Sequence, residues 1–328
     1  MTVLKIAIVF FVVIVGFFYV KASNFTPFIP PSQPASTVEG SSAVTGVMTQ
    51  PLWQFATGMT PSVYGVPGIL SGAALVFFAF IGFDVVATAS EETKNPHKNV
   101  PLGIGVGMLL IIVMYMLVAV VTTGMVSYAD LAKQDSPSLA TAFELVGADW
   151  AAKIISFGIV LGLATVVMVL LLGLTRIVFA MSRDGLLPRG LSKTGKHGTP
   201  AALQIVVGAV VALVAAFFDI GVLSDMVNIG TLSAFTLVAI SIPIMRKKRP
   251  DLPRAFKMPG SPWIPILIAV ANFWLMLNLS VLTWIRFVVW LVVGFAIYFG
   301  YGYWHARLGK GDLTETLSAE TDKALTAE

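Results

Sequence analysis

Phe77-Phe78-Ala79-Phe80-Ile81-Gly82-Phe83-Asp84 lies inside an apolar run that extends from Gly68 to Ala89. A helix of about 20 apolar residues crosses a hydrocarbon core about 30 Å thick. In lipid every backbone N–H and C=O must find its partner within the protein, so the run is expected to be helical. Two residues conflict with a continuous helix. Gly82 costs about 1 kcal/mol against alanine in a helix interior, and Asp84 places an acid in the apolar run at about 2.5–3.5 kcal/mol on insertion scales. Two readings follow. In the first, one half-helix ends near Ile81 and Gly82 and a second starts at Asp84, since aspartate is a favoured N-cap. The exposed carbonyls and N–H groups of the two ends then coordinate a charged small molecule in mid-membrane. In the second, Gly82 only lets a neighbouring helix approach, and Asp84 pairs with a nearby polar group.

The rest of the chain repeats this apolar character. Hydrophobic residues make up 57% of the 328 residues and charged residues 12%, about half the charged fraction of a soluble domain. Apolar runs are predicted to span at Val3–Val20, Gly68–Ala89, Leu102–Gly124, Ala151–Met181, Ala201–Phe218, Val222–Met245, Trp263–Leu279 and Thr283–Tyr303. The alternating ten-residue segments of a membrane β-barrel are absent. The expectation is an all-α integral membrane protein of about eight transmembrane helices. Its transmembrane domain covers residues 1–309, with an outer loop at 21–67, and a polar tail occupies 310–328. The outer loop is rich in Pro, Ser, Thr and Gly, with a short amphipathic piece at Leu52–Phe55.

Lysine and arginine set the orientation. With the N-terminus inside, the inner segments and tail carry fifteen: Lys94, Lys98, Arg183, Arg189, Lys193, Lys196, the group Arg246–Arg249, Arg254, Lys257, Arg307, Lys310 and Lys323. The outer segments carry four: Lys21, Lys133, Lys153 and Arg286. Both termini are therefore expected on the cytoplasmic side of the cytoplasmic membrane. The first span has some signal-peptide features, with Lys5 near the start and small residues at Ala22 and Ser23. Its 18-residue apolar run is long for one, and removing it would break the even-span topology.

Several chemistries find no residues. Without cysteine there is no disulfide, thiolate site or cysteine nucleophile. His97, His197 and His305 lie far apart in sequence and lack metal-ligand spacing. No activated nucleophile or carboxylate pair shares a span, so no enzyme, metal or cofactor is expected, and no nucleic-acid partner. Gly103-x-Gly105-x-Gly107 has no strand before it and reads as a packing face, as does Gly158-x-x-x-Gly162. Arg176 is expected to snorkel or to pair with an acid such as Asp184. Trp53, Trp150, Trp263, Trp284 and Trp304 read as an interfacial belt. Lys5 is either a snorkelling lysine at the inner end of the first span or a buried one whose charge changes during transport.

Four ordered motifs carry a resemblance that covers nearly the whole chain. They are Phe77–Ile104 (FFAFIGFDVVATASEETKNPHKNVPLGI), Thr175–Pro188 (TRIVFAMSRDGLLP) followed by Gly198–Pro200, Val227–Phe235 (VNIGTLSAF), and Arg246–Pro259 (RKKRPDLPRAFKMP). Together they resemble the amino acid–polyamine–organocation superfamily, closest to bacterial relatives of the cationic amino-acid transporters. The resemblance implies a leucine-transporter-like bundle and proton-coupled transport of an amino acid by alternating access. The first span matches the family's fifth helix and the second its sixth, so the first four helices, with the glycine-rich turn that holds the substrate carboxylate, are expected to be missing. By resemblance, backbone carbonyls around Phe78, Ala79 and Ile81, beside Gly82, receive the substrate ammonium group, with Phe78 as a gate. Lys5 matches the lysine that replaces a sodium ion in proton-coupled members, and Asp84 the acid just past the break, with a structural role. An alternative of another class is a non-transporting fragment, or a partial bundle that needs complementing N-terminal helices from a partner chain.

Overall fold

A computed structural model describes residues 2–37, 46–83, 86, 93–134, 137–192, 200–250, 258 and 260–306. Each of the eight apolar runs holds a helix. These are α1 (Thr2–Phe17), α3 (Gly65–Phe80), α4 (Pro96–Met125), α7 (Asp149–Arg183), α8 (Ala201–Phe217), α9 (Ile220–Lys248), α10 (Trp263–Leu277) and α11 (Val281–Ile297). Short helices α2 (Leu52–Thr57), α5 (Tyr128–Ala132), α6 (Leu139–Leu145) and α12 (Tyr303–His305) lie between or after them. The outer loop also holds a two-stranded antiparallel sheet, β1 (Gln33–Pro34) with β2 (Ser62–Val63), which the sequence reading did not include.

The helices differ from the predicted runs at their ends. Four stretches are long and apolar enough to cross a membrane: Lys98–Met125, Asp149–Arg183, Ile220–Lys248 and Val281–His305. The other four helices have 15–17 residues, or about 24 Å of rise, because each stops before its apolar run does. Helix α4 starts six residues ahead of the predicted Leu102, with Pro96 in its first turn, where the missing proline N–H leaves no helical bond unmade. The last run is not one α-helix: a π-turn at Tyr298–Gly302 separates α11 from α12. The long apolar helices are largely exposed; within the most apolar window of α4 only 6% is buried. Such a surface is unfavourable in water and suits hydrocarbon.

The chain divides into two compact units, Met1–Val167 with Ser224–Trp284, and Met168–Leu223 with Ile285–Glu328. In the first, the buried core joins α1, α4, α6 and the start of α7 through Val12, Val121, Met125, Phe143, Ala151 and Ile155. Gly16 makes this contact possible. A Cβ there would collide with Val121 and come within 2.8 Å of the Met125 sulfur. Gly16→Val is therefore expected to destabilise the protein by about 1–3 kcal/mol through overpacking, read as a lower thermal-unfolding midpoint in detergent. The outer loop is fastened to the α10–α11 turn. Leu52 N–H donates to the Leu279 carbonyl at 3.0 Å, Val281 N–H to Gln50 at 3.1 Å, and Trp53 Nε1 to Asn278 Oδ1 at 3.0 Å.

In the second unit the turn after α7 is closed by Ser182, whose hydroxyl donates to the Pro188 carbonyl at 2.7 Å. Asp184 is met by its neighbour Arg183 at 3.5 Å. For Gly103, Gly105 and Gly107 the expected packing face has no partner among the described residues, since none of them lies within 4 Å of a Cβ built there. Of Gly158 and Gly162, only Gly158 meets a neighbour, Ile8 on α1.

Candidate functional site

Helix α3 stops at Phe80. Ile81 is extended (φ −66°, ψ 137°), and Gly82 has φ +126°, a conformation that only glycine adopts readily. Among the described residues nothing lies within 4 Å of a Cβ built on Gly82. No close packing among the described residues accounts for the glycine, whereas the backbone turn does. Asp84, the expected start of a second half-helix, lies outside the described residues.

A helix end leaves carbonyls without intrahelical donors, and two of them here find partners from different sources. The Phe78 carbonyl accepts from Ile81 N–H at 3.2 Å, which tightens the last turn. The Ala79 carbonyl accepts from the Tyr115 hydroxyl on α4 at 2.8 Å, and the Tyr115 ring stands edge-on to Phe80 with centroids 5.0 Å apart. On the opposite side, Phe235 of α9 packs against Phe77 before the break (6.2 Å) and Phe83 after it (5.3 Å). One turn earlier on α3, Asn228 Nδ2 reaches the Leu75 carbonyl at 3.5 Å. Asn228 is fully buried, and its Oδ1 has no hydrogen-bond partner among the described residues. The break is thus held by α4 on one side and α9 on the other. Removing the ring that touches both sides, in Phe235→Ala, is expected to destabilise the protein by less than the roughly 3–5 kcal/mol of a fully buried phenylalanine, since Phe235 is half-buried, measured by denaturation in detergent.

Three cavities of the first unit lie near one another, and one of them reaches the end of α3. One of about 560 Å³ lies between α3 and α4, lined by Ala79, Phe80, Tyr115, Thr122 and Thr123 among others. A larger one of about 640 Å³ runs along the first half of α3 and takes in Ser71, Leu75, Tyr128, Asp225 and Ser280. It shares Thr123 with the first. Asp225 in its wall accepts from the Thr283 hydroxyl at 3.1 Å. The third, about 170 Å³, contains Lys5 with Ile8, Val9, Val12, Ile155 and Gly158. It shares Val118 and Leu139 with the cavity at Ala79. Lys5 is half-buried on α1, and its other neighbours there are aliphatic.

The predicted site residues are thus only partly brought together. Ala79 lines a cavity and its carbonyl has a side-chain donor. Phe78 is 42% exposed and, with Ile81 and Gly82, lines none of these three cavities. Lys5 sits in a separate pocket one wall away. Tyr115 lies in none of the quoted motifs, and Asn228 and Phe235, though inside Val227–Phe235, carry no assigned role in the sequence reading. The available sign was polarity: Tyr115 is the one hydroxyl between Leu102 and Val121 in an otherwise apolar helix, and Asn228 is an amide in a span.

The chain matches the family model described as amino acid permease over residues 1–302. It is 42% identical over 311 residues to the branched-chain amino acid permease BcaP of Bacillus subtilis (strain 168), covering 94% of this chain and 60% of that protein. It is 39% identical over 308 residues to the methylthioribose transporter of the same organism, covering 94% of this chain and 59% of that protein. Cationic amino acid transporter 3, mitochondrial, of Arabidopsis thaliana is 45% identical over 195 residues, 59% of this chain and 31% of that protein. The chain thus spans about 60% of the length of the two Bacillus relatives.

Proposed function

We propose that this chain, which belongs to the amino acid permease family, serves secondary transport of amino acids across the cytoplasmic membrane by alternating access coupled to protons. The observation that carries this reading is the interruption of α3 at Ile81–Gly82 beside a cavity that shares walls with the Lys5 pocket. Backbone groups freed at such a break, in apolar surroundings, favour a small charged solute over water. In this reading the carbonyls near Phe78, Ala79 and Ile81 receive the ammonium group, Gly82 makes the turn, Asp84 supports the second half-helix and Lys5 carries the proton.

The eight apolar helices correspond, in the same reading, to the fifth to twelfth of a leucine-transporter-like bundle, with both termini cytoplasmic. A transporting unit then requires helices equivalent to the part of the relatives that this chain does not span. Proteoliposomes containing the chain, alone or co-expressed with the N-terminal helices of the Bacillus branched-chain permease, are the test. Uptake of radiolabelled leucine above empty vesicles is expected in the complemented sample. Its absence in both samples sinks the reading; uptake by the chain alone removes the need for complementing helices.

A second reading, uptake of methylthioribose, is favoured by the 39% identity to a transporter of that name. Leucine carries an ammonium group and methylthioribose does not. Competition between the two for uptake therefore distinguishes the readings: leucine is expected to win, since backbone carbonyls attract a cation more strongly than a neutral hydroxyl.

A further inference from the structure

We propose that Tyr115 is a specificity-determining residue that completes the ammonium site at the end of α3. This inference rests on the reading of Ala79 given above. The break deprives the Ala79 carbonyl of a helical N–H donor from further along the chain, and the Tyr115 hydroxyl donates to it at 2.8 Å. A hydroxyl has one proton and two lone pairs. With the proton committed to Ala79, the lone pairs of Tyr115 Oη are oriented outward, and the Ala79 oxygen keeps a second lone pair. Both residues line the same cavity of about 560 Å³, whose other walls are mostly aliphatic: Val76, Ile112, Met116 and Val118.

The Ala79 oxygen and Tyr115 Oη, joined by the single tyrosine proton, leave lone pairs that suit a cation bringing its own protons, and a primary ammonium has three. The phenol ring is fixed by its edge contact with Phe80, 5.0 Å between centroids, so the arrangement is formed before a ligand arrives. A hydroxyl placed only to tie α4 to α3 would also make the 2.8 Å bond. The two roles differ in what they distinguish: a tie stabilises the protein whatever binds, whereas an acceptor pair separates ligands that carry an ammonium group from those that do not.

Tyr115→Phe keeps the ring and deletes the acceptor. Binding of leucine and of its deaminated analogue 4-methylpentanoate is measured by isothermal calorimetry on the wild type and the variant, purified in detergent. Leucine affinity is expected to fall about tenfold or more, the loss associated with a hydrogen bond to a charged group, with 4-methylpentanoate unchanged. Equal losses for both ligands, or no loss for leucine, overturn the proposal. Should the variant fail to fold, 3-fluorotyrosine incorporated at position 115 keeps ring and hydroxyl. Its fluorine resonance is expected to move with leucine and to stay put with 4-methylpentanoate; a resonance indifferent to leucine overturns the proposal. A wild type that binds no leucine at all counts instead against the proposed amino-acid site.

Discussion

In the complemented proteoliposomes of the proposed transport assay, Gly82→Val is expected to abolish leucine uptake while leaving the protein inserted in the membrane. The reason lies in the backbone. At φ +126° a β-branched residue is forced into a region essentially reserved for glycine, at about 1–3 kcal/mol or more. The chain escapes that strain by rotating φ to a negative value. The most accessible alternative is to continue α3 through Ile81–Phe83, where apolar residues in lipid favour every intrahelical bond they can form. A continuous helix gives the Phe77–Phe80 carbonyls N–H donors, and the site no longer exists. Steric crowding is not the cause, since nothing described lies within 4 Å of the added Cβ. Gly162 supplies the control. It also has open space at its Cβ, but it lies inside α7 with no positive φ. Gly162→Val is expected to keep uptake within about twofold of wild type, because only a small propensity difference is involved. Wild-type uptake by Gly82→Val, with the control also active, removes the broken helix from the mechanism.

The two results together explain what was readable from sequence. The turn at Gly82 could be anticipated because a poor helix former and an acid lie in an apolar run, where each has a known cost. Span positions follow from hydropathy for the same reason. Helix ends do not. Pro96 extends α4 before its apolar run begins, and the tyrosine- and glycine-rich end of the last run winds into a π-turn at Tyr298–Gly302, neither of which hydropathy registers. The spacing of the α4 glycines suggests a packing face, yet no described residue lies within 4 Å of a Cβ built on them; spacing along one helix says nothing about whether a second helix lies against it. The site's neighbours were hidden for a related reason. Tyr115 is 36 residues from Ala79, and Asn228 is 153 from Leu75. Each is an ordinary residue locally, and its relevance comes from which helices pack together.

Lys5→Met is expected to remove the response of leucine uptake to a proton gradient while leaving uptake at equal pH within a few-fold of wild type. Methionine keeps an unbranched stem that fills the small cavity formed with Ile8, Val9, Val12 and Ile155, so packing on α1 is largely preserved. What is lost is the one titratable side chain among the residues lining that cavity. In the proposed mechanism this side chain carries the proton, and the cavity around it is lined by aliphatic residues. The Lys5 cavity shares Val118 and Leu139 with the cavity at Ala79, so a movement of α4 or of the residues around Leu139 that reshapes one also reshapes the other. In the proposed mechanism that shared wall is the route by which loading the site would alter the surroundings of Lys5. Lys5→Arg sharpens the test. Arginine keeps the positive charge but does not give up its proton, so it too is expected to lose gradient dependence, and a bulky fixed charge in the pocket should also slow uptake at equal pH. If charge alone matters, arginine retains the gradient response and methionine loses it; if the proton matters, both lose it. Uptake measured in proteoliposomes with an imposed inward proton gradient separates these outcomes, and a methionine variant that still follows the gradient excludes Lys5 as the coupling residue.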